Sequence, residues 1–505
     1  MPSDGDSGRP AVRRLHPISL LFSIGKAARN LLLPGIVILW ASGGSNTEVW
    51  LMIFFVPAVL AALIKYWSYR YRLEGDELIV REGIVTRNER HIPYARIQNV
   101  DLVQNPVHRL FRVAEVRLET AGGQAPEAVI RVLSLEAIER MRSRIFGGRR
   151  ATADRDGAAV ERGTPEESPA RLLHYLPPRD VLLYGIISNK GMVVVAAALG
   201  AAWQFDLFER WGSWISPDLL ERIPEFKPQQ DPLSAVLLGL AALVAALILM
   251  RLLSIAWAFV KLYGFRLRRR GDDLAAEYGL FTRVSKTIPR RRIQVLSAVE
   301  GPLHRWFGRV SVQVETAGRS EESEGDGADR QWLAPLARKD QVAALFREAL
   351  TELDPDAVRW QPISSRARAR LVRYWAYVLL PIVAVCVWQL GRWGLIPAAL
   401  LLAFASINVR LYVKHAAYSL IPGAVFYRSG WWTRRMSVAR FSKIQSVRMT
   451  ESPFDRRHGM ASLSVDTAGG GHLGHKVAVS YLDAPVAAEL LDRLAHEAGR
   501  TAFRW

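Results

Sequence analysis

The chain has 505 residues, half of them hydrophobic, with 67 Lys and Arg against 48 Asp and Glu, a net charge of +19 and a pI near 10.3. That length leaves room for three or four domains, and a single cysteine, Cys386, excludes an intrachain disulfide and a thiolate metal cluster. So basic a balance points to nucleic acid or to an anionic membrane surface; the basic residues sit beside long apolar stretches, so a membrane is expected and no nucleic-acid partner.

In chain order, residues 1–14 read as a polar tail and 15–67 as a membrane hairpin with apolar stretches Leu31–Ser42 and Trp50–Ile64. Arg13, Arg14, Lys26 and Arg29 before the first stretch also fit a signal peptide, but the hairpin recurs twice downstream, so an uncleaved helix is the reading adopted. A soluble module follows at 68–147, then a linker at 148–170 too poor in apolar residues to bury a core. Residues 171–262 give a second hairpin (Met192–Trp203, Leu233–Met250) and 263–350 a second module, with an acidic loop at Gly318–Arg330. A linker or interfacial segment at 351–372, a third hairpin at 373–415 (Tyr374–Leu390, Leu395–Ile407) and a third module at 416–500 complete the chain.

The four longer stretches carry no charge and approach spanning length; the first and third reach it only with flanks holding Lys26 and Arg29, or Lys190, which can snorkel. Segments introduced by Pro17, Pro178 and Pro362 read equally as interfacial helices or as first turns of spanning ones. Small residues four apart, Ala196/Gly200 and Ala235/Gly239, mark faces on which helices could pack closely. The expected outer loops, Gly43–Glu48, Gln204–Asp231 and Gly391–Trp393, hold only four of the 67 basic residues. The positive-inside rule then sets both termini and all three modules in the cytoplasm of a multi-pass protein.

The modules are copies. The first reads Gly83-Ile84-Val85-Thr86-Arg87, Ile97-Gln98, Pro106 and Glu119-Thr120-Ala121-Gly122. The second reads Gly279-Leu280-Phe281-Thr282-Arg283, Ile293-Gln294, Pro302 and Glu315-Thr316-Ala317-Gly318, and the third Gly430-Trp431-Trp432-Thr433-Arg434, Ile444-Gln445, Pro453 and Asp466-Thr467-Ala468-Gly469. Each time 15 residues separate Gly from Gln, 8 Gln from Pro and 14 Pro from Thr, so the unit is an internal repeat. Val116-Arg117-Leu118-Glu119, Val312-Gln313-Val314-Glu315 and Leu463-Ser464-Val465-Asp466 alternate with period two, as half-buried strands do. Short strands between Gly, Pro and Asn turns predict a small sandwich or barrel. Leu133–Phe146, Pro335–Leu350 and Pro485–Ala498 predict a closing amphipathic helix in each copy, proline suiting the first turn of the last two.

Paired spans followed by Gly-φ-φ-Thr-Arg, Arg-Ile-Gln and Pro-x-His-Arg resemble the bacterial pleckstrin-homology-like membrane proteins, and the triple arrangement with His16-Pro17 near the N-terminus resembles their YdbT type. The resemblance covers about residues 15–498 and implies six transmembrane helices in three hairpins, each followed by a partly open seven-stranded barrel with a C-terminal capping helix. It implies a bacterial plasma-membrane protein with no established enzymatic activity, of a family associated with envelope stress and antimicrobial-peptide tolerance, with a smaller single-module paralogue as a possible partner. Copy three departs from the pattern: Lys443 replaces Arg96 and Arg292, Asp455 replaces His108 and His304, and His458 replaces Phe111 and Phe307, while Arg456 keeps the column of Arg109 and Arg305.

Six arginines, Arg87, Arg96, Arg109, Arg283, Arg292 and Arg305, are the candidate lipid-binding residues, gripping anionic headgroups; the ordinary alternative is a solvated or internally salt-bridged face. Trp431 and Trp432, where the other copies hold smaller side chains, are candidate protein-contact residues, with burial in the core or at the bilayer interface as the alternative. His472 and His475 lack a third ligand of known position, so no metal, and no other cofactor, is expected. No phosphate-binding loop or nucleophile elbow is present, and no carboxylate lies within the apolar stretches, which argues against a coupled transporter. The expected function is that of a non-catalytic, lipid-contacting scaffold, a lipid or peptide transporter and a regulatory subunit of a membrane enzyme being the rivals.

Overall fold

The computed structural model describes residues 171–188, 232–317, 331–467 and 477–500, most of 63–120, 128–141, and a few isolated positions elsewhere. Most of the first hairpin, the linker, nearly all of Met192–Trp203, the acidic loop and His472/His475 therefore lie outside the described residues. In chain order the strands are β1 (Arg13–Arg14), β2 (Arg70–Glu74), β3 (Glu77–Glu82), β4 (Asn88–Pro93), β5 (Ile97–Gln104), then helix α1 (Pro106–Leu110), β6 (Val113–Thr120) and β7 (Ala128–Ser134). The second copy brings β8 (Arg171–Tyr175), α2 (Pro178–Ile187), α3 (Pro232–Leu262), β9 (Arg266–Arg270), β10 (Asp273–Tyr278), β11 (Arg283–Pro289), β12 (Ile293–Glu300), α4 (Pro302–Trp306), β13 (Arg309–Thr316), β14 (Gln331–Arg338) and α5 (Lys339–Ala349). The third brings β15 (Gln361–Pro362), α6 (Ala367–Leu390), α7 (Leu395–His415), β16 (Ala417–Ile421), β17 (Ala424–Ser429), β18 (Arg434–Arg440), β19 (Ile444–Thr450), α8 (Pro453–Arg456), β20 (Met460–Thr467), β21 (Val477–Asp483) and α9 (Ala484–Arg500).

Contacts divide the chain into two units. The first holds the N-terminal copy together with β11, borrowed from the second. Antiparallel strands β2, β3 and β4 form one sheet, with β1 on its far edge, and β5, β6 and β7 pair in sequence. The predicted alternation is realised: Val116 and Leu118 are buried while Arg117 faces solvent. They join Leu78, Val80, Ile92, Ile97 and Val100 in one core, closed by Ile138 and Met141 from helical residues 135–141. These are sheet-rich, PH-like sandwich domains.

In the second unit β14, β13, β12, β18, β17, β16 and β15 form one continuous antiparallel sheet. Strand β12 belongs to the second copy and β18 to the third, so the sheet runs from one copy into the next. Strand β12 is buried along both faces, and its Val295 lies in the third copy's core beside Tyr427, Ala439, Val465 and Leu490. The first junction repeats the arrangement, β11 pairing with β5 with Arg283 opposite Gln104, and β18 with β12 with Arg434 opposite Glu300. Those are corresponding residues of the repeat, so both junctions use one register. The third copy is completed by β19, β20 and β21, over which α9 packs Ala487, Leu490 and Leu494.

Helix α9 starts with its proline in the first turn, as predicted. Pro335 does not begin a helix. It lies inside β14, at a register irregularity on the outermost strand of its sheet, where a missing N–H is tolerated; α5 starts four residues later, at Lys339.

Two stretches among the described residues are long and apolar enough to cross a membrane: Gly239–Leu262, and Ala367–His415, which is α6 and α7 joined by a tight turn at Gly391–Gly394. The latter is the third predicted hairpin. The segments before the hairpins resolve in opposite ways. α2 is a separate helix ending at an extended Ser188, whereas Ala367 begins the long apolar helix α6 directly. The segment at Pro17 lies outside the described residues, Ser19 apart.

Candidate functional site

Each copy carries a one-turn helix, α1, α4 or α8, between its fifth and sixth strands, opened by the conserved-spacing proline at N1, where the missing N–H costs nothing. The reciprocal cap explains the His/His/Asp column. His108 Nδ1 accepts the Asn105 N–H at 3.1 Å, His304 Nδ1 accepts that of Gly301 at 3.3 Å, and Asp455 Oδ2 accepts that of Ser452 at 3.2 Å. A histidine can do this only while Nδ1 is unprotonated. Burial keeps it so, pushing His108 down and His304 down to about 4. The departure of copy three therefore preserves a hydrogen-bonding role.

These helices turn large apolar side chains outward. Leu110 is 77% exposed and Trp306 82%, with Phe111, Phe307 and Phe454 also exposed. Trp306 and Phe307 stack with centroids 6.2 Å apart. Arg305, on the same helix, reaches the Gly-Trp-Trp-Thr-Arg turn of the next copy, its Nη1 donating to the Trp432 carbonyl at 2.8 Å. Burial and the neighbouring Arg434 lower the pKa of Arg305, so two guanidiniums share one aromatic-edged tip.

The third tip is tied to the long apolar helix α6. Phe454 packs against Tyr377 of α6 (6.2 Å between centroids) and under the guanidinium of Arg370 (5.1 Å). Arg370 Nε bonds Asp455 Oδ1 at 3.0 Å within a largely buried pair. Burial opposes ionisation of Asp455, but hydrogen bonds from Ser452 and Arg370 outweigh it and hold the carboxyl below its usual range. Ser364 Oγ adds a 2.6 Å bond to Asp483 and Arg366 one of 3.3 Å to the His458 carbonyl, so the helix start is fastened to the module at several points. In the second copy Asp180 of α2 pairs with Arg309 at 2.9 Å, Arg251 and Ser254 of α3 donate to the Ser188 carbonyl, and Lys261 lies 5.0 Å over the Trp332 ring.

A profile of the bacterial PH domain matches residues 19–148, 221–352 and 371–498. The chain belongs to the bacterial PH domain family. It is 24% identical to the UPF0699 transmembrane protein YdbT of Bacillus subtilis (strain 168) over 478 residues, 91% of this chain and 94% of that one. It is 29% identical over 115 residues to the UPF0699 transmembrane protein YdbS of the same organism, which covers 23% of this chain and 70% of YdbS.

Against this family frame the predicted site residues separate. Arg87 is exposed immediately before β4, Arg283 is exposed as the first residue of β11, and Arg109 is exposed on α1. Arg96 lies outside the described residues. Arg292 is engaged internally, its Nη2 donating to the Ala317 carbonyl at 2.6 Å and pinning the open end of the β12–β13 pair. Lys443, in the same column, is buried, and burial together with Arg440 lowers its pKa. Both residues serve the fold. Trp431 is half-buried and Trp432 is 60% exposed, the two rings meeting edge to face at 5.5 Å. The structure thus brings Arg305, Arg434, Trp306 and Trp432 to one tip. Trp306 and Leu110 were not singled out from sequence; the available signal was an apolar residue next to arginine just after a turn proline.

Proposed function

We propose that this protein is a non-catalytic, multi-pass scaffold of the bacterial plasma membrane that holds its PH-like domains, by their aromatic and basic tips, against anionic lipid headgroups of the cytoplasmic leaflet. The observation that carries the reading is the tip formed by Arg305 and Arg434 with exposed Trp306 and Trp432. Indole rings favour the headgroup zone, and each cation near an anionic surface adds about 1 kcal/mol. The corresponding tip in the third copy packs on Tyr377, within the long apolar helix α6, which supports a tip held close to the bilayer. The cytoplasmic orientation rests on the paucity of basic residues in the outer loops, and the six-span topology on the six apolar stretches of the sequence, of which most of the first hairpin and nearly all of Met192–Trp203 lie outside the described residues. The envelope-stress role implied by the family resemblance would follow if the tips sense headgroup charge.

The test is depth. In full-length protein with Cys386→Ser, a nitroxide at Trp306→Cys is expected to be more accessible to oxygen than to a water-soluble nickel chelate in phosphatidylglycerol-containing nanodiscs. Replacing Arg305 and Arg434 by glutamate should reverse that preference. A fully aqueous label in both would overturn the reading.

A further inference from the structure

The two junctions between copies differ at their centre. In the first, continuing the register from Arg283 and Gln104 sets Lys286 opposite Asp101, which is buried and also accepts the Thr287 N–H at 3.3 Å. In the second, Ser437 stands opposite Ser297, their Oγ atoms 3.1 Å apart. The fifth strand of the third copy, β19, ends its sheet among the described residues, as does the fourth strand of the first copy, β4. Val447 and Met449 of β19 pack into the third core, whereas Ser446, Arg448 and Thr450 face outward and are exposed. In the junction register Thr450 would meet Asn88, and Arg448 would meet Arg90. Like charges directly opposite one another destabilise a strand pair, and charged edge residues are a known defence against sheet extension. Arg448 forms no ion pair among the described residues.

We propose that β19 is a docking edge for the fourth strand of a separate PH-like module that carries a carboxylate in the column of Arg90, Lys286 and Ser437, and that Arg90 facing Arg448 bars a second copy of this chain. The column then reads as an assembly code. Asp with Lys joins copies one and two, Ser with Ser joins two and three, and Arg448 rejects both basic strands while accepting an acidic one.

The test uses two differently tagged full-length chains, both with Cys386→Ser. A donor carries Asn88→Cys and an acceptor Thr450→Cys, residues that face each other in the proposed pair and so lie within disulfide reach. Mixed in mild detergent under oxidation, they are expected to yield little heterodimer. Adding Arg90→Asp to the donor should raise it about tenfold, and adding Arg448→Asp to the acceptor as well should abolish the gain. The reciprocal pair, an Arg90 donor with an Arg448→Asp acceptor, should cross-link equally and guards against a donor that fails to fold. Efficient cross-linking with both arginines in place would make a second copy the occupant and overturn the proposal. Failure of both charge-matched pairs would show that β19 does not accept a fourth strand.

Discussion

A single side chain settles what the most suggestive column in the repeat does. The Pro-x-His-Arg pattern carries the family resemblance, and within it His304 accepts the Gly301 N–H. Replacing it by leucine leaves that donor without its acceptor, a loss of about 1–3 kcal/mol. Replacing it by aspartate supplies the acceptor that Asp455 already provides in copy three. Thermal unfolding of the two variants should therefore differ, with His304→Asp close to the parent. The pH dependence has a definite sign. The folded chain holds His304 neutral down to about 4, while the unfolded chain protonates it near 6.5. Between those values the unfolded state binds more protons, so stability is complete above about 6.5 and falls as pH drops toward 4. For a partly buried group the loss is on the order of 2 kcal/mol, and His304→Asp should remove it from the second-copy unfolding profile.

At the scale of elements, alternation and repeat spacing made the strands legible, because a half-buried strand must alternate and a copied fold must keep its turn residues. Helix packing was less legible. The small-residue pairs point to Gly200 and Gly239, but a Cβ on either would meet nothing within 4 Å among the described residues. A close approach of one helix to another is instead at Gly185, where a Cβ would stand 2.5 Å from Ile255 Cα. One isolated glycine in a short, mostly apolar segment carries no periodic signal, so only the crossing of α2 over α3 reveals it. Gly185→Ala should cost about 1–3 kcal/mol by overpacking. Gly239→Ala should leave stability unchanged or raise it by up to about 1 kcal/mol through helix propensity. Detergent-solubilised thermal denaturation separates these outcomes, and equal effects would mean that α2 does not rest on α3 at this point. Pro335 fails as a helix signal for a related reason, since a proline at a bulge on an edge strand and a proline in a first helical turn look alike in sequence.

For the whole molecule, the sharing of strands between copies could not be read from repeat spacing, which is the same for independent modules and for a continuous sheet. The legible signal is how columns differ between copies. Strand β12 presents Val295, Ser297 and Val299 where β19 presents Ser446, Arg448 and Thr450, as expected if the third copy covers the first set and no strand among the described residues covers the second. A substitution in the second copy should therefore unfold the third. Val295 is 1% exposed within the third copy's core, and Val295→Asp would bury a carboxylate with no partner supplied, at a cost of several kcal/mol. Hydrogen exchange should rise in β20, β21 and α9, with a smaller rise in β6 and β7, which belong to a different core. Ser446→Asp, the same change in the corresponding column, places its charge in water and should leave exchange in β20 and β21 as it was. If Val295→Asp loosens only the second copy's own strands, the copies are separate domains that merely abut, and the continuous sheet is not a cooperative unit.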